Sequence, residues 1–135
     1  MRKLLPLVSI CILFVFYGCK KQNSFDERCQ KEAQELTHRK CPQTVTEGII
    51  CDSITYDLKT HTMQYHYTMS GEYDNPETIA KGLADFKKAL GNSITNSIDL
   101  KKYKDNGISF RYTYLSKSTK KVLIDETFTK KDYTR

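Results

Sequence analysis

From Met63 to Met69, read MQYHYTM, apolar and polar side chains alternate without a break. Met63, Tyr65, Tyr67 and Met69 share one face, and Gln64, His66 and Thr68 share the other. This period of two predicts a strand with one buried side. Ile49 to Asp57 predicts a preceding strand, with Ile54 and Tyr56 on one face, and Leu58 to His61 predicts the turn between them. Later in the chain Ile108, Phe110, Tyr112 and Tyr114 alternate with Ser109, Arg111 and Thr113, a third strand. A turn over 116–120 leads to a fourth, on which Val122, Ile124 and Phe128 share a face that Glu126 interrupts. The tail from Lys130 is polar and is expected to be loose.

Two segments carry the other periodicity. Phe25, Cys29, Ala33 and Leu36 fall at helical spacing, with Ser24 as a cap and Asp26 and Glu27 in the first turn. This helix ends near Arg39, because Pro42 pushes Cys41 out of helical geometry. Asn75 caps a second helix with Pro76 at its first position. Its stripe is Ile79, Leu83, Phe86 and Leu90, and Gly91 ends or weakens it. A short further helix is expected over 97–104, with Gly107 as its left-handed stop. The order is helix, hairpin, helix, hairpin. It predicts an α+β fold of two αββ units, forming a four-stranded antiparallel sheet with both helices on its apolar face. The segments Cys41-Pro42, Tyr65 to Thr68 and Gly107 to Tyr114 resemble small exported bacterial proteins with no assigned activity. That resemblance supports the fold and adds no chemistry.

Ahead of the domain, Leu4 to Tyr17 is uncharged and mostly apolar. Arg2 and Lys3 precede it, and Gly18-Cys19 follows. A basic start, an apolar middle and a small residue at the cut make a secretory signal. Gly18-Cys19 resembles a lipobox, in which the cysteine receives diacylglycerol. Phe16 and Tyr17 depart from the usual Leu and small residue, and in this the chain resembles the looser lipoproteins of the Bacteroidetes. The rival readings are a plain secreted protein and an uncleaved membrane helix; the run is shorter than the roughly 20 apolar residues that span a bilayer. The resemblance implies a lipid on Cys19, a signal over 1–18 and a tether over 19–24. A single domain over 25–130 and a loose tail over 131–135 complete the division. Lys20, rather than an inner-membrane retention residue, favours the outer membrane, and its periplasmic face ahead of the cell surface.

Composition narrows the chemistry. Of 135 residues, 22 are Lys or Arg and 16 are Asp or Glu, for a net charge of +6. Loss of Arg2 and Lys3 with the signal leaves +4, which does not argue for nucleic acid. Cys29, Cys41 and Cys51 remain for an oxidising compartment, so one intrachain disulfide is expected. Cys41–Cys51 is easiest, because the first helix carries Cys29 about 15 Å from Cys41; Cys29–Cys51 is possible if the helix packs over that strand. The cysteines and His38, His61 and His66 lack a Cys-x2-Cys or His-x3-His clip, so no metal is expected. No turn marks a cysteine nucleophile, no glycine-rich phosphate loop occurs, and no cofactor is expected. The strand tyrosines Tyr65, Tyr67, Tyr112 and Tyr114 read as core rather than as a ligand platform. Lys101, Lys102, Lys104, Lys117, Lys120 and Lys121 are expected to crowd around the last hairpin, guarding its edges.

The reading that follows is a lipid-anchored, non-enzymatic binding module of the envelope. Its partner would be another envelope protein, met on the polar sheet face at His66, Arg111, Gln64 and Thr68. The alternative is a small hydrolase or inhibitor-type protein acting on peptidoglycan or proteases.

Overall fold

A computed structural model describes residues 24–134 of the chain. The signal, Cys19 and most of the tether lie outside the described residues. The elements run α1 (Phe25–Lys40), β1 (Gln43–Thr46), β2 (Ile49–Asp57), β3 (Thr62–Met69), a 3-10 turn (Gly71–Tyr73), α2 (Pro76–Asn96), α3 (Lys101–Asp105), β4 (Ser109–Ser116), β5 (Val122–Phe128) and α4 (Lys130–Tyr133). The expected caps form: Ser24 Oγ accepts from the Glu27 N–H, and Asn75 accepts from the N–H groups of Glu77 and Thr78.

The class is α+β, but the sheet has five strands in the order β1-β2-β3-β4-β5, and it is mixed rather than antiparallel. β3 and β4 run parallel in register from Thr62–Ser109 to Met69–Ser116, while the other neighbours are antiparallel. A parallel pair needs a long crossover. The chain from Ser70 to Ile108, with α2 inside it, returns to the end of the sheet where β3 began. Treating the two hairpins as equivalent halves hid this. β1 escaped the pattern because all four of its residues are exposed and none alternates with a buried one. It pairs with β2 only at Ile49, Ile50 and Cys51. Beyond it, Thr37 of α1 takes over: its Oγ1 donates to the Ile54 carbonyl at 2.7 Å and accepts from the Ile54 N–H at 2.8 Å.

α1 packs on β2 and α2 on β5, both over the same face. Phe110, Met63 and Ile94 lie deepest in the core between them. The tyrosines do belong to this face. Tyr65 stacks on Tyr112 with ring centres 4.8 Å apart and Tyr67 on Tyr114 at 4.4 Å, while the edge of Phe86 meets Tyr114. Gly91 does not end α2, which continues to Asn96 and buries Ile94. A Cβ at Gly91 would stand 3.2 Å from the Phe128 ring, so the glycine lets helix and strand approach.

Three further expectations give way. Val122 is 56% exposed, because a register shift at Tyr114/Leu115 turns the start of β5 outward. The chain past residue 130 is not loose: Tyr133 is buried and its hydroxyl donates to the Ile108 carbonyl at 2.8 Å. The six lysines do not form one cluster. Lys101, Lys102 and Lys104 precede β4 and Lys117, Lys120 and Lys121 follow it, so the eight residues of β4 separate them by about 25 Å.

Candidate functional site

The polar sheet face does bring Gln64, His66, Thr68 and Arg111 together, since Gln64 stands opposite Arg111 in the parallel pair. Each is already engaged. Arg111 grips Asp125 with both prongs, Nε to Oδ1 at 2.8 Å and Nη2 to Oδ2 at 2.6 Å. This fork-to-fork bond holds the Asp125 carboxyl below its usual range. The Thr55 hydroxyl lies 2.9 Å from His66 Nε2 and 3.2 Å from Gln64 Oε1. Thr68 donates to Asp52 at 2.6 Å. Burial, and then the Arg111 charge, keep His66 below its ordinary pKa of 6.5, hence neutral at pH 7. A shallow polar hollow opens beside Arg111, between Asp57, Thr62 and Thr127.

Cys29 and Cys51 do not have the character of nucleophiles. Burial pushes the Cys29 thiol up to about 11 and the Cys51 thiol up to about 12, the reverse of an activated thiolate. The Cys41 and Cys51 sulfurs are 4.0 Å apart and unbonded, so the expected bridge is absent from this structure, and Cys29 is free as well. Of the histidines, His38 is exposed on α1. His61 sits at the β2–β3 turn, 2.8 Å from Asp26, which also accepts the Tyr56 hydroxyl. Among the described residues no three His, Cys, Asp or Glu side chains are placed to hold a metal ion.

Sequence reasoning missed an apolar cleft of about 250 Å³ on the helix side of the sheet. Ile49 and Met69 come from β2 and β3, Ile124 from β5, and Ile79, Leu83 and Phe86 from α2. Ile79, Leu83 and Phe86 are the stripe that reads as core in the sequence. They are only half-buried, because neighbouring structure leaves the cleft side of α2 open. Gly82 also lines it, in the second turn of α2, and a Cβ there would meet nothing within 4 Å. Tyr73, on the 3-10 turn, is part of its lining. Behind it Gly48 adopts a φ of +85°, and a Cβ there would lie 2.8 Å from the Ser70 carbonyl and 3.0 Å from the Tyr73 ring. Glycine therefore permits the approach of the β1–β2 turn to Tyr73. The one sequence signal for this site is the glycine in the middle of a strongly periodic helix.

A family model described as a domain of unknown function (DUF8479) matches residues 24–124. The sequence matches no curated protein. Solved structures with the same fold include one described as a secreted protein from Pseudomonas aeruginosa, at 15% identity and a TM-score of 0.66, with 83% of this chain and 99% of that one covered. The pilotin EpsS of the Vibrio vulnificus type 2 secretion system follows at 14% identity and a TM-score of 0.63, with 82% and 92% covered. The pilotin AspS of the Vibrio cholerae type II secretion system has 15% identity and a TM-score of 0.55, with 79% and 90% covered. At these identities the likeness is one of fold.

Proposed function

This chain belongs to the family of the domain of unknown function DUF8479, and from that premise we propose a non-enzymatic binding module of the bacterial envelope. A lipid on Cys19 holds it in the outer membrane, and its apolar cleft seats a segment of an envelope protein assembly. Two proteins that share its fold are named as pilotins of a secretion system, and the reading brings service to such an assembly to this chain.

The observation that carries the proposal is Gly82. Glycine inside a helix costs about 1 kcal/mol relative to alanine. At Gly91 the packing of Phe128 explains the glycine, but at Gly82 no neighbour lies within 4 Å of an added Cβ. What Gly82 leaves is a gap in the wall of an apolar cleft, and a cleft lined by apolar side chains is what a ligand segment requires. The placement also fits an anchored protein. α1 begins at the β2–β3 turn, where Asp26 meets His61, whereas the cleft lies at the other end of β3, by Met69. The partner site is thus carried away from the tether by the length of the strand, about 25 Å.

The polar face remains the second reading, favoured by the hollow beside Arg111 and disfavoured by the internal pairing of its side chains. Capture from cross-linked envelopes by the tagged full chain separates the two. Gly82→Phe, which sets a ring at the cleft from a position where a Cβ meets nothing within 4 Å, should leave melting nearly unchanged and reduce capture of the partner by about tenfold, as for loss of a well-packed anchor. The double change His66→Ala with Arg111→Ala should leave capture intact. The opposite pattern would move the site to the sheet face.

A further inference from the structure

The apolar cleft does not end at Tyr73. On the other side of that ring lies a polar pocket of about 350 Å³, whose lip carries Glu47 from the β1–β2 turn and Glu72 from the 3-10 turn. Tyr73 lines both, so the two are halves of one continuous surface. Both carboxylates are exposed, and among the described residues neither makes a hydrogen bond or an ion pair. The acid next to them is different: Asp74 accepts from Ser116 and from the Ser118 N–H, and it faces Lys120. Lys120 of the β4–β5 turn is thereby answered by Asp74, and the charge of Glu47 and Glu72 is left for something outside the fold.

We infer that this surface recognises a peptide segment in which large apolar side chains are followed, within a residue or two, by a lysine or arginine. This inference rests on the cleft reading above and adds the partner's chemistry to it. The apolar side chains enter between α2 and the strand ends at Ile79, Leu83 and Met69. The basic side chain passes the Tyr73 ring, on which its methylenes pack, and brings its charge between Glu47 and Glu72. An acidic residue at that position is repelled, which supplies selectivity that an apolar cleft alone lacks. Because both carboxylates are in water, the pairing contributes modestly to affinity and weakens with salt.

The full chain, with its methionine, isoleucine and leucine methyl groups labelled and held in phosphatidylcholine nanodiscs, is titrated with three tetrapeptides followed by NMR. The probes are acetyl-Leu-Phe-Leu-Lys-amide and the same peptide ending in Gln or in Glu. The methyl signals of Met69, Ile79 and Leu83 should move with all three. At low ionic strength the Lys peptide should bind about two- to fivefold more tightly than the Gln peptide, the range of exposed ion pairs, and the Glu peptide most weakly. In a Glu47→Gln, Glu72→Gln variant the three should become equal. Equal affinities for the unaltered protein, or a Lys advantage that survives in that variant, would overturn the inference while leaving the cleft in place. If none of the peptides moves the cleft methyl signals, the cleft reading itself fails.

Discussion

Asp26 shows how much one side chain of the first helical turn does. It caps nothing, yet it joins α1 to the first hairpin by accepting from the Tyr56 hydroxyl and by pairing with His61. His61 is held with a φ of 51°, a conformation few non-glycine residues adopt. The hydrogen bond from His61, and then that from Tyr56, lower the Asp26 pKa from its ordinary 3.8. A depressed folded-state pKa means that the ionised form is favoured by folding. The contribution is therefore present above pH 3.8 and is lost as the pH falls through the lowered folded value. Asp26→Asn should destabilise the protein near pH 7 and much less near pH 2, so the two denaturation curves should converge in acid. A constant gap between them across that range would show that the contact acts through packing rather than charge.

At the scale of the element, α2 carries two glycines with opposite reasons. Gly82 faces open space and Gly91 faces the Phe128 ring at 3.2 Å. Gly82→Ala should raise stability by about 0.5–1 kcal/mol, because it removes backbone freedom from the unfolded chain and meets nothing in the folded one. Gly91→Ala should show no such gain, since Phe128 would have to shift within a packed core. Urea denaturation of the two variants reads both. A gain at Gly91 equal to that at Gly82 would mean that the helix and β5 are more loosely joined than the ring contact indicates.

For the whole molecule, the start of α1 and the cleft lie toward opposite ends of β3, and the proposal adds a lipid anchor ahead of α1. Cys19→Ala should move the protein from the membrane fraction to the soluble one, or leave an uncleaved precursor, while the folded domain keeps its melting temperature. Fractionation with labelling by a fatty-acid analogue checks this. An unaltered protein that takes up no label would remove the lipid from the account and leave the cleft to be tested alone.

Much of this was legible in the chain. Periodicity placed β2, β3, β4 and β5, both long helices and the Ser24 and Asn75 caps, because those signals are local: a side chain's face follows from its own spacing. The expected leader and its cysteine rest on local patterns too, but they lie outside the described residues. What depends on where distant segments meet was decided only in three dimensions. The parallel β3–β4 pair follows from the path of the crossover. The exposed β1 exists because β2 offers it an edge. Arg111 reads as an open binding fork until Asp125, on the adjacent β5, is seen to fill it. Ile79, Leu83 and Phe86 have the spacing of a buried stripe. Whether such a stripe is sealed or left as a cleft depends on what stands opposite it, here Ile49, Met69, Tyr73 and Ile124 from four other parts of the chain. No window of sequence contains that information, because helical spacing encodes an apolar face and not the distance to its partner.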